Sequence, residues 1–318
     1  MEKKLNVIFG YQGAFELTTE EEKTFINDFP DCNFSFKKPD DYTNEECKNA
    51  DVFIGMFNPA QMKAAKNIKW LQASTVGTDR YQGYVDPSKV LVTNSKDLFN
   101  DCMGEHAFAM MIAYSRALLY QRDSQLKHEW VLHEVPSDLF GKTIAIIGLG
   151  GIGSNLAKKA KAFDMHVIGI RRNVNNKPDY IDEMYTMNDL NHVLEISDFV
   201  ALAVPLTEET YHMINKDTLK LMKPTAYLLN MARGEVVDTD ALVEALKNGT
   251  IAAAGLDVVY PEPLPKDHPL WDLKNCFITP HRANASPTTN RFRFKFYHEQ
   301  LKRYLAGEEL KNIVKKID

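Results

Sequence analysis

Residues 142–172 read KTIAIIGLGGIGSNLAKKAKAFDMHVIGIRR, and this stretch decides the fold of the chain around it. The runs KTIAIIG and MHVIGI predict two strands, GLGGIG predicts a glycine turn, and SNLAKKAKAF predicts the helix between the strands. The glycines have the spacing G-x-G-x-x-G, directly after one strand and at the start of a helix. This context indicates a βαβ unit that binds a dinucleotide, although the glycine spacing alone would also fit an ordinary turn.

Each glycine of the turn has a separate physical role. Gly148 permits the tight turn out of the strand, Gly150 lets the backbone approach a pyrophosphate, and Gly153 lets the helix pack closely on the sheet. Free amides and the positive dipole end at the helix N-terminus favour the phosphates. The predicted cofactor contacts of the turn are therefore Gly148, Gly150, Gly151, Ile152 and Gly153.

The second strand ends in Arg171 and Arg172, near the position where an acid usually binds the ribose 2′-hydroxyl of NAD. A guanidinium can instead bind a 2′-phosphate through two parallel hydrogen bonds. The pair therefore predicts NADP as the cofactor, with NAD as the alternative. The other interpretation of the two arginines is a solvated basic strand end.

The composition is typical of a soluble globular protein with two domains, because the chain has 318 residues, 44% of them hydrophobic and 25% charged. A formal net charge of −5 argues against nucleic acid as a partner, since such a surface needs a basic excess. The widely spaced cysteines indicate reduced thiols in the cytoplasm, with neither a disulfide frame nor a metal site. These cysteines are Cys32, Cys47, Cys102 and Cys276.

No membrane partner is predicted either. The N-terminus MEKKLNVIFG enters a strand too soon for a signal peptide. The longest apolar run, HAFAMMIAYSRALLY, contains His106 and Arg116 and is too short to span a bilayer.

Apolar runs alternate with helical patterns along the whole chain, which predicts an α/β fold of two doubly wound parallel-sheet lobes with a cleft between them. We expect a flavodoxin-like first part of the substrate domain over residues 1–98 and a Rossmann dinucleotide-binding domain over 99–285. A long helical pattern from about 287 to 305 indicates that residues 286–318 return to the substrate domain. Ligands of such sheets bind beyond the carboxyl ends of the strands.

Three ionisable residues, Arg233, Glu262 and His281, each follow a predicted strand of the cofactor lobe. Together they suit a 2-oxo acid, because an arginine can bind a carboxylate, and a histidine can protonate a carbonyl near neutral pH. A carboxylate beside that histidine would favour its protonated form and fix its ring. Taken singly, each has a structural alternative: a helix-terminus partner for the arginine, a solvated loop acid, and a core histidine.

The sequence resembles the D-isomer-specific 2-hydroxyacid dehydrogenase family over nearly its whole length. The matching segments are FGKTIAIIGLGGIG, LAVPLTEETYHMIN, LLNMARGEVVDTDAL, GLDVVYPEPLP and ITPHRANASP. The resemblance implies that Arg233 binds the substrate carboxylate and carbonyl, that His281 is the general acid, and that Glu262 supports His281. It further implies cofactor contacts at Val204, Pro205, Met231, Asp257 and Asn284.

In the front lobe the segment STVGTD resembles the family's carboxylate loop, with the amides of Val76 and Gly77 meeting the substrate. A plain strand-to-helix turn is the alternative. Met56 and Phe57 in GMFNP fall where the family varies its substrate choice, so they predict an apolar wall, unless both are core residues. The segment NDCMGEHAFAMMIAYSR resembles the family's dimer helix, which implies a homodimer, although its apolar face could instead be a core stripe.

Two departures from the family pattern stand out: Arg171 in place of the usual acid, and Arg282 directly after His281. The first resembles the NADP-preferring glyoxylate and hydroxypyruvate reductase branch. We therefore expect hydride transfer from NADPH to a small 2-oxo acid. The alternatives are a nucleotide-sensing interaction module of the corepressor type, and a formate or phosphite dehydrogenase, because fold does not fix function.

Overall fold

A computed structural model describes residues 4–11 and 15–317. The chain forms two compact units, which we call the first unit, Met1–Phe99 with Ala285–Asp318, and the second unit, Asn100–Asn284. The boundaries expected from the sequence, 98/99 and 285/286, each differ from these by one residue. Both units are parallel α/β sheets with helices on both faces, which confirms the predicted fold class.

The first unit contains a parallel sheet of five strands, in the order β2-β1-β3-β4-β5 within the described residues. This is the flavodoxin-like order. The strands are β1 (Leu5–Gly10), β2 (Cys32–Lys37), β3 (Val52–Gly55), β4 (Trp70–Ala73) and β5 (Leu91–Thr93). The helices that precede the second unit are α1 (Thr19–Asp28), α2 (Asn44–Asn49) and α3 (Pro59–Ala64).

The second unit contains a seven-stranded parallel sheet, in the order β12-β11-β10-β9-β6-β7-β8. The strand order reverses between β6 and β9, as in a Rossmann sheet. The strands are β6 (Thr143–Ile147), β7 (His166–Ile170), β8 (Glu183–Tyr185), β9 (Phe199–Leu202), β10 (Tyr227–Asn230), β11 (Ala253–Leu256) and β12 (Cys276–Ile278). The helices are α4 (Asn100–Ser115), α5 (Leu118–Leu126), α6 (Gly151–Ala162), α7 (Leu190–Ile196), α8 (Lys216–Leu221) and α9 (Thr239–Lys247).

Alternation along the central strands buries both faces of the second sheet. Ile144 and Ile146 of β6 face α4 and α6, whereas Ala145 and Ile147 face α7, α8 and α9. All four are fully buried. Such two-sided burial explains why the strand reads as a continuous apolar run with no polar alternation.

The helix α4 has its apolar face in the core of its own unit. Ala107, Phe108, Met110 and Met111 are buried there together with strand residues of β6 and β9. The core-stripe interpretation of this helix therefore accounts for its apolar residues. No helix in the described part of the chain is long and apolar enough to cross a membrane.

The last helix, α10 (Pro287–Ala306), belongs to the first unit. Ser286 caps its first turn, and Gly307 ends it with a φ of 70°. Its buried residues Tyr297 and Leu301 complete a core cluster with the strands β1, β3 and β4. The hydroxyl of Tyr297 lies 2.9 Å from the Ser95 hydroxyl in this core. The core of the first unit thus includes residues of α10, which follows the second unit in the sequence.

Candidate active site

The glycine turn after β6 has the geometry that the sequence predicts. Gly148 has a φ of 102°, and a Cβ there would lie closer than 3.0 Å to the carbonyl oxygen of Ala203. A Cβ on Gly153 would also lie closer than 3.0 Å to a backbone atom, the carbonyl oxygen of Gly148. Both positions therefore require glycine for the fold itself, because the atoms that they approach are backbone atoms.

Gly150 differs from these two glycines because a side chain at this position would meet no neighbouring atom. It is the N-cap of α6 with a φ of −75°, and an added Cβ would meet no heavy atom within 4 Å. The space that a Cβ would fill lies directly before the N-terminus of a twelve-residue helix, where backbone amides and the dipole favour an anion. The turn thus fits the pyrophosphate of a dinucleotide.

The two arginines at the end of β7 are held differently. The Arg171 guanidinium donates from Nη2 to the carbonyl oxygens of Asn175 (2.6 Å) and Asn176 (3.2 Å), so it is bound to the loop that follows it. The Arg172 side chain is 81% exposed, and its Nη2 lies 3.4 Å from a Glu209 carboxylate oxygen. Arg172 is therefore the more accessible of the two cations.

Three of the other predicted cofactor contacts follow strands at or next to the point where the strand order reverses. Val204 and Pro205 follow β9, and Val204 lies next to the Gly148 turn. Met231 follows β10 and is buried, and Asn284 is half-buried at the end of the second unit. The carboxyl ends of β6, β9 and β10 thus bring the turn, Val204, Pro205 and Met231 to one edge of the sheet.

The three predicted catalytic residues lie at this same edge, after β10, β11 and β12. His281 Nδ1 lies 2.8 Å from Glu262 Oε1, and both side chains are more than two-fifths exposed. Because an ionised carboxylate can only accept, His281 donates from Nδ1 and keeps Nε2 for another group. Arg233 is half-buried and donates from Nη1 to the carbonyl oxygen of Ala232 at 2.8 Å.

The backbone around Arg233 is fixed by Asn230, which the sequence analysis does not single out. Its side chain is 1% exposed, accepts from the Ala232 amide at 3.0 Å and donates to the Arg233 carbonyl oxygen at 3.0 Å. Gly234 packs so closely on residues 259 and 260 that a Cβ would overlap their backbone. The turn that presents the arginine is therefore rigidly attached to β10 and to the segment after β11.

Asp257 is buried beneath His281 rather than exposed beside it. Its side chain is 1% exposed and accepts from the amides of Arg282 (2.9 Å) and Ala283 (3.1 and 3.2 Å). His281 itself has a φ of 51°, a left-handed conformation that is uncommon for a residue with a side chain. Its amide donates to the carbonyl oxygens of Asp257 (2.8 Å) and Thr279 (2.9 Å). Asp257 therefore holds the turn that presents His281.

The structure also places His106 and Thr279 against Asp257, and neither has a role in the sequence analysis. The Thr279 hydroxyl lies 2.5 Å from Asp257 Oδ1 and 2.9 Å from His106 Nε2. His106 and Thr279 are 173 positions apart in the sequence. The Arg282 side chain is exposed, so the residue contacts Asp257 through its backbone alone.

The predicted substrate residues of the first unit fall into two groups. The Asn94 side chain donates to the Val76 carbonyl oxygen at 2.7 Å, and the Thr75 hydroxyl donates to the Gly77 carbonyl oxygen at 2.6 Å. Among residues 4–11 and 15–317 no hydrogen-bond acceptor is found for the amides of Val76 and Gly77.

Met56 and Phe57 do not form the predicted apolar wall together. Phe57 is 2% exposed, with its ring centroid 4.5 Å from that of Phe53, so it is a core residue. Met56 is half-buried. Only Met56 retains a surface that a ligand could contact.

Comparison with known proteins identifies the family. Residues 108–283 match the model of the D-isomer specific 2-hydroxyacid dehydrogenase NAD binding domain. The chain is 36% identical to a glyoxylate reductase of Korarchaeum cryptofilum, over 85% of this chain and 84% of that protein.

Three solved structures share the fold over almost the entire chain. A D-isomer specific 2-hydroxyacid dehydrogenase family protein from Aeromonas salmonicida superposes with a TM-score of 0.87 at 26% identity, over 99% of this chain and 100% of that one. An acyclic imino acid reductase in complex with NADPH and D-Arg superposes with a TM-score of 0.82 at 26% identity, over 98% of this chain and 100% of that one. A D-lactate dehydrogenase from Aquifex aeolicus, complexed with NAD and lactic acid, superposes with a TM-score of 0.80 at 26% identity, over 98% of this chain and 99% of that one. The chain belongs to the D-isomer specific 2-hydroxyacid dehydrogenase family of oxidoreductases.

Proposed function

We propose that this protein reduces the carbonyl group of a small 2-oxo acid with NADPH. The observation that carries the proposal is the 2.8 Å contact between His281 Nδ1 and Glu262 Oε1, at the edge of the sheet where the glycine turn lies. A histidine that is held by a carboxylate on one nitrogen presents the other nitrogen as a proton donor. The relatives named glyoxylate reductase support a small 2-oxo acid as the substrate class.

Each residue of the site has a separate task in this reaction. The Arg233 guanidinium binds the substrate carboxylate and orients the carbonyl carbon, since its planar fork matches two carboxylate oxygens. Protonated His281 donates from Nε2 to the carbonyl oxygen as charge develops there. Glu262 holds the His281 ring through the hydrogen bond to Nδ1. The bound nicotinamide dinucleotide supplies the hydride. The amides of Val76 and Gly77 remain proposed carboxylate contacts of the first unit.

A substrate panel tests the class of reaction. Purified protein is assayed with glyoxylate, hydroxypyruvate, pyruvate and phenylpyruvate, each with NADPH and with NADH. Oxidation of the cofactor is followed by the loss of the near-ultraviolet absorbance of the reduced nicotinamide. The proposal predicts oxidation of the cofactor with at least one of these acids. No oxidation with any of them would remove 2-oxo acid reduction as the function.

Substitution of His281 tests the proton donor. His281→Ala should lower kcat by about 100-fold or more, because general acid catalysis contributes at least that factor. Glu262→Gln keeps a hydrogen-bond acceptor beside Nδ1 but removes the charge, so its loss should be smaller than that of His281→Ala. An unchanged rate in His281→Ala would exclude His281 as the donor.

The preference for NADP rests on Arg171 and Arg172. We propose that Arg172 binds the 2′-phosphate and that Arg171 fixes the loop of residues 173–176, since its guanidinium already donates to carbonyl oxygens there. Arg172→Ala should therefore weaken NADPH binding about 10-fold or more and leave NADH binding within about twofold, as expected for loss of a charge-assisted contact. Arg171→Asp should shift the preference toward NADH. Equal effects on both cofactors would contradict the assignment of a 2′-phosphate contact to Arg172.

We also propose that the protein is a cytoplasmic homodimer. An exposed apolar segment of the second unit supports the dimer, because Trp130 is 97%, Leu132 91% and Phe140 75% exposed. Cys32, Cys47 and Cys276 are free thiols, which fits a reducing compartment. Light scattering coupled to size-exclusion chromatography measures the mass, and Leu132→Glu should convert a dimer into monomers. A monomeric unaltered protein would contradict the proposal.

A further inference from the structure

The contacts of His106 lead from the middle of α4 to the turn that carries His281. Thr279 has one hydroxyl proton and two neighbours, Asp257 Oδ1 at 2.5 Å and His106 Nε2 at 2.9 Å. Asp257 Oδ1 also accepts from the Arg282 amide, which can only donate, so this oxygen acts as an acceptor. Thr279 must therefore give its proton to Asp257. It follows that Thr279 accepts a hydrogen bond from His106, whose Nε2 must carry a proton.

This chain of hydrogen bonds ends at the backbone of the catalytic turn. Asp257 accepts from the amides of Arg282 and Ala283 through its side chain, and from the amide of His281 through its carbonyl oxygen. His281 is held in a left-handed conformation between these contacts. A residue in that region keeps its geometry only when its surroundings over-determine it. The direction of the His281 ring therefore depends on the position of Asp257.

From this geometry we propose that His106 is a positioning residue for the reaction. It donates to Thr279, aligns the Asp257 carboxylate through that hydroxyl, and so fixes the turn that aims His281 at the carbonyl oxygen. The polar contacts of His106 in the described residues are those with Thr279 and Asp257. The inference rests on the proposed function, since it assigns His106 to the alignment of the proposed proton donor. It predicts an effect on turnover with little effect on substrate binding.

Paired variants separate the hydrogen bond from simple packing. His106→Leu and Thr279→Val remove the donor and the hydroxyl while they keep most of the volume. His106→Gln and Thr279→Ser are the matched controls, because they keep an N–H donor and a hydroxyl at these positions. Steady-state kinetics with the best substrate of the panel gives kcat and KM for all four variants.

His106→Leu and Thr279→Val should each lower kcat by about 10- to 100-fold, because a displacement of about 1 Å at a catalytic group such as His281 costs up to about that factor. KM for the 2-oxo acid should stay within about threefold, as Arg233 is unaffected. The conservative pair should keep kcat within about threefold of the unaltered protein. Unchanged kcat in His106→Leu and Thr279→Val would overturn the proposal. Equal losses in all four variants, or losses that follow the melting temperature, would overturn it as well.

Hydrogen exchange tests the same inference without any turnover. In protein free of cofactor, the Arg282 and Ala283 amides should exchange about 5- to 10-fold faster in His106→Leu, as expected for the weakening of one hydrogen bond, and at the original rate in His106→Gln. Histidine nitrogen chemical shifts should show a proton on Nε2 of His106. An Nδ1–H form, or identical exchange in both variants, would contradict the inference. If the unaltered protein reduced none of the acids, the proposed function would fail, whereas these two measurements would still decide whether His106 orders the turn.

Discussion

Two glycines of the turn after β6 separate the requirements of the fold from those of ligand binding. A Cβ on Gly153 would come closer than 3.0 Å to the Gly148 carbonyl oxygen and to 3.1 Å from Ile146 Cγ2. That oxygen belongs to the backbone and cannot rotate away, so the helix and the turn must move apart. Overpacking of this kind costs about 1 to 3 kcal/mol, of which helix propensity returns up to about 1 kcal/mol. We expect Gly153→Ala to lose about 2 kcal/mol of unfolding free energy.

Gly150→Ala should behave in the opposite way. No heavy atom lies within 4 Å of its added Cβ, and alanine tolerates a φ of −75°. Its unfolding free energy should therefore stay within about 0.5 kcal/mol of the original value. The methyl group would occupy the space before the helix N-terminus, where the pyrophosphate would approach. The dissociation constant for NADPH should rise about 10- to 100-fold, which corresponds to about 1.4 to 2.8 kcal/mol.

Urea denaturation followed by circular dichroism gives the unfolding free energies, and the fluorescence of titrated NADPH gives the dissociation constants. For Gly153→Ala the melting temperature should fall by about 4 to 8 °C, given the size of the second unit. The reasoning is wrong if Gly150→Ala unfolds as readily as Gly153→Ala. It is equally wrong if Gly150→Ala binds NADPH as tightly as the original protein does.

Three further predictions concern stability alone. Burial raises the pKa of Asp198, but the Thr143 amide and the Lys223 ammonium, each at 2.9 Å, outweigh burial and hold the pKa below its usual value. Asp198→Asn should therefore lower the unfolding free energy by about 1 to 3 kcal/mol at pH 7, and the difference should shrink as the pH falls below about 4; a constant difference would refute the charge argument. Gly249→Ala should lower it by about 1 kcal/mol because Gly249 has a φ of 67°, and unchanged urea denaturation would contradict that conformation. Thr18→Ala removes the side-chain cap of α1 and should also lower it by about 1 kcal/mol, whereas Thr18→Ser should keep the original value.

Much of the fold can be predicted from local patterns in the sequence. The predicted strand, turn, helix and strand of residues 142–172 correspond to β6, the Gly148 turn, α6 and β7. Thr18 and Glu21 form a reciprocal cap at the start of α1, which is the capping-box spacing S/T-x-x-E. The strand β8 cannot be recognised from the sequence, because it has three half-buried residues at the edge of the sheet and too little apolar alternation.

The candidate site is predicted less completely, because part of it consists of contacts between distant segments. Arg233, Glu262 and His281 can be found from their positions after strands. His106 cannot, since its partner Thr279 lies 173 positions away in the sequence, and the segments that contain the two residues do not reveal that they are in contact. For Phe57 the sequence leaves the choice between wall and core open for a related reason: its burial depends on how β3 and α3 pack, and a single apolar residue after a strand does not reveal which way its ring points.

The position of α10 also affects the order in which the protein matures on the ribosome. Tyr297 and Leu301 are fully buried in the first unit, whose sheet is made of residues that emerge long before them. At about 5 to 20 residues per second, synthesis of the segment from 100 to 297 takes roughly 10 to 40 s. All residues of the second unit are available before α10 is made. The core of the first unit therefore stays incomplete during this time, and its apolar strands remain exposed. These strands are the part of the nascent chain that most needs a chaperone.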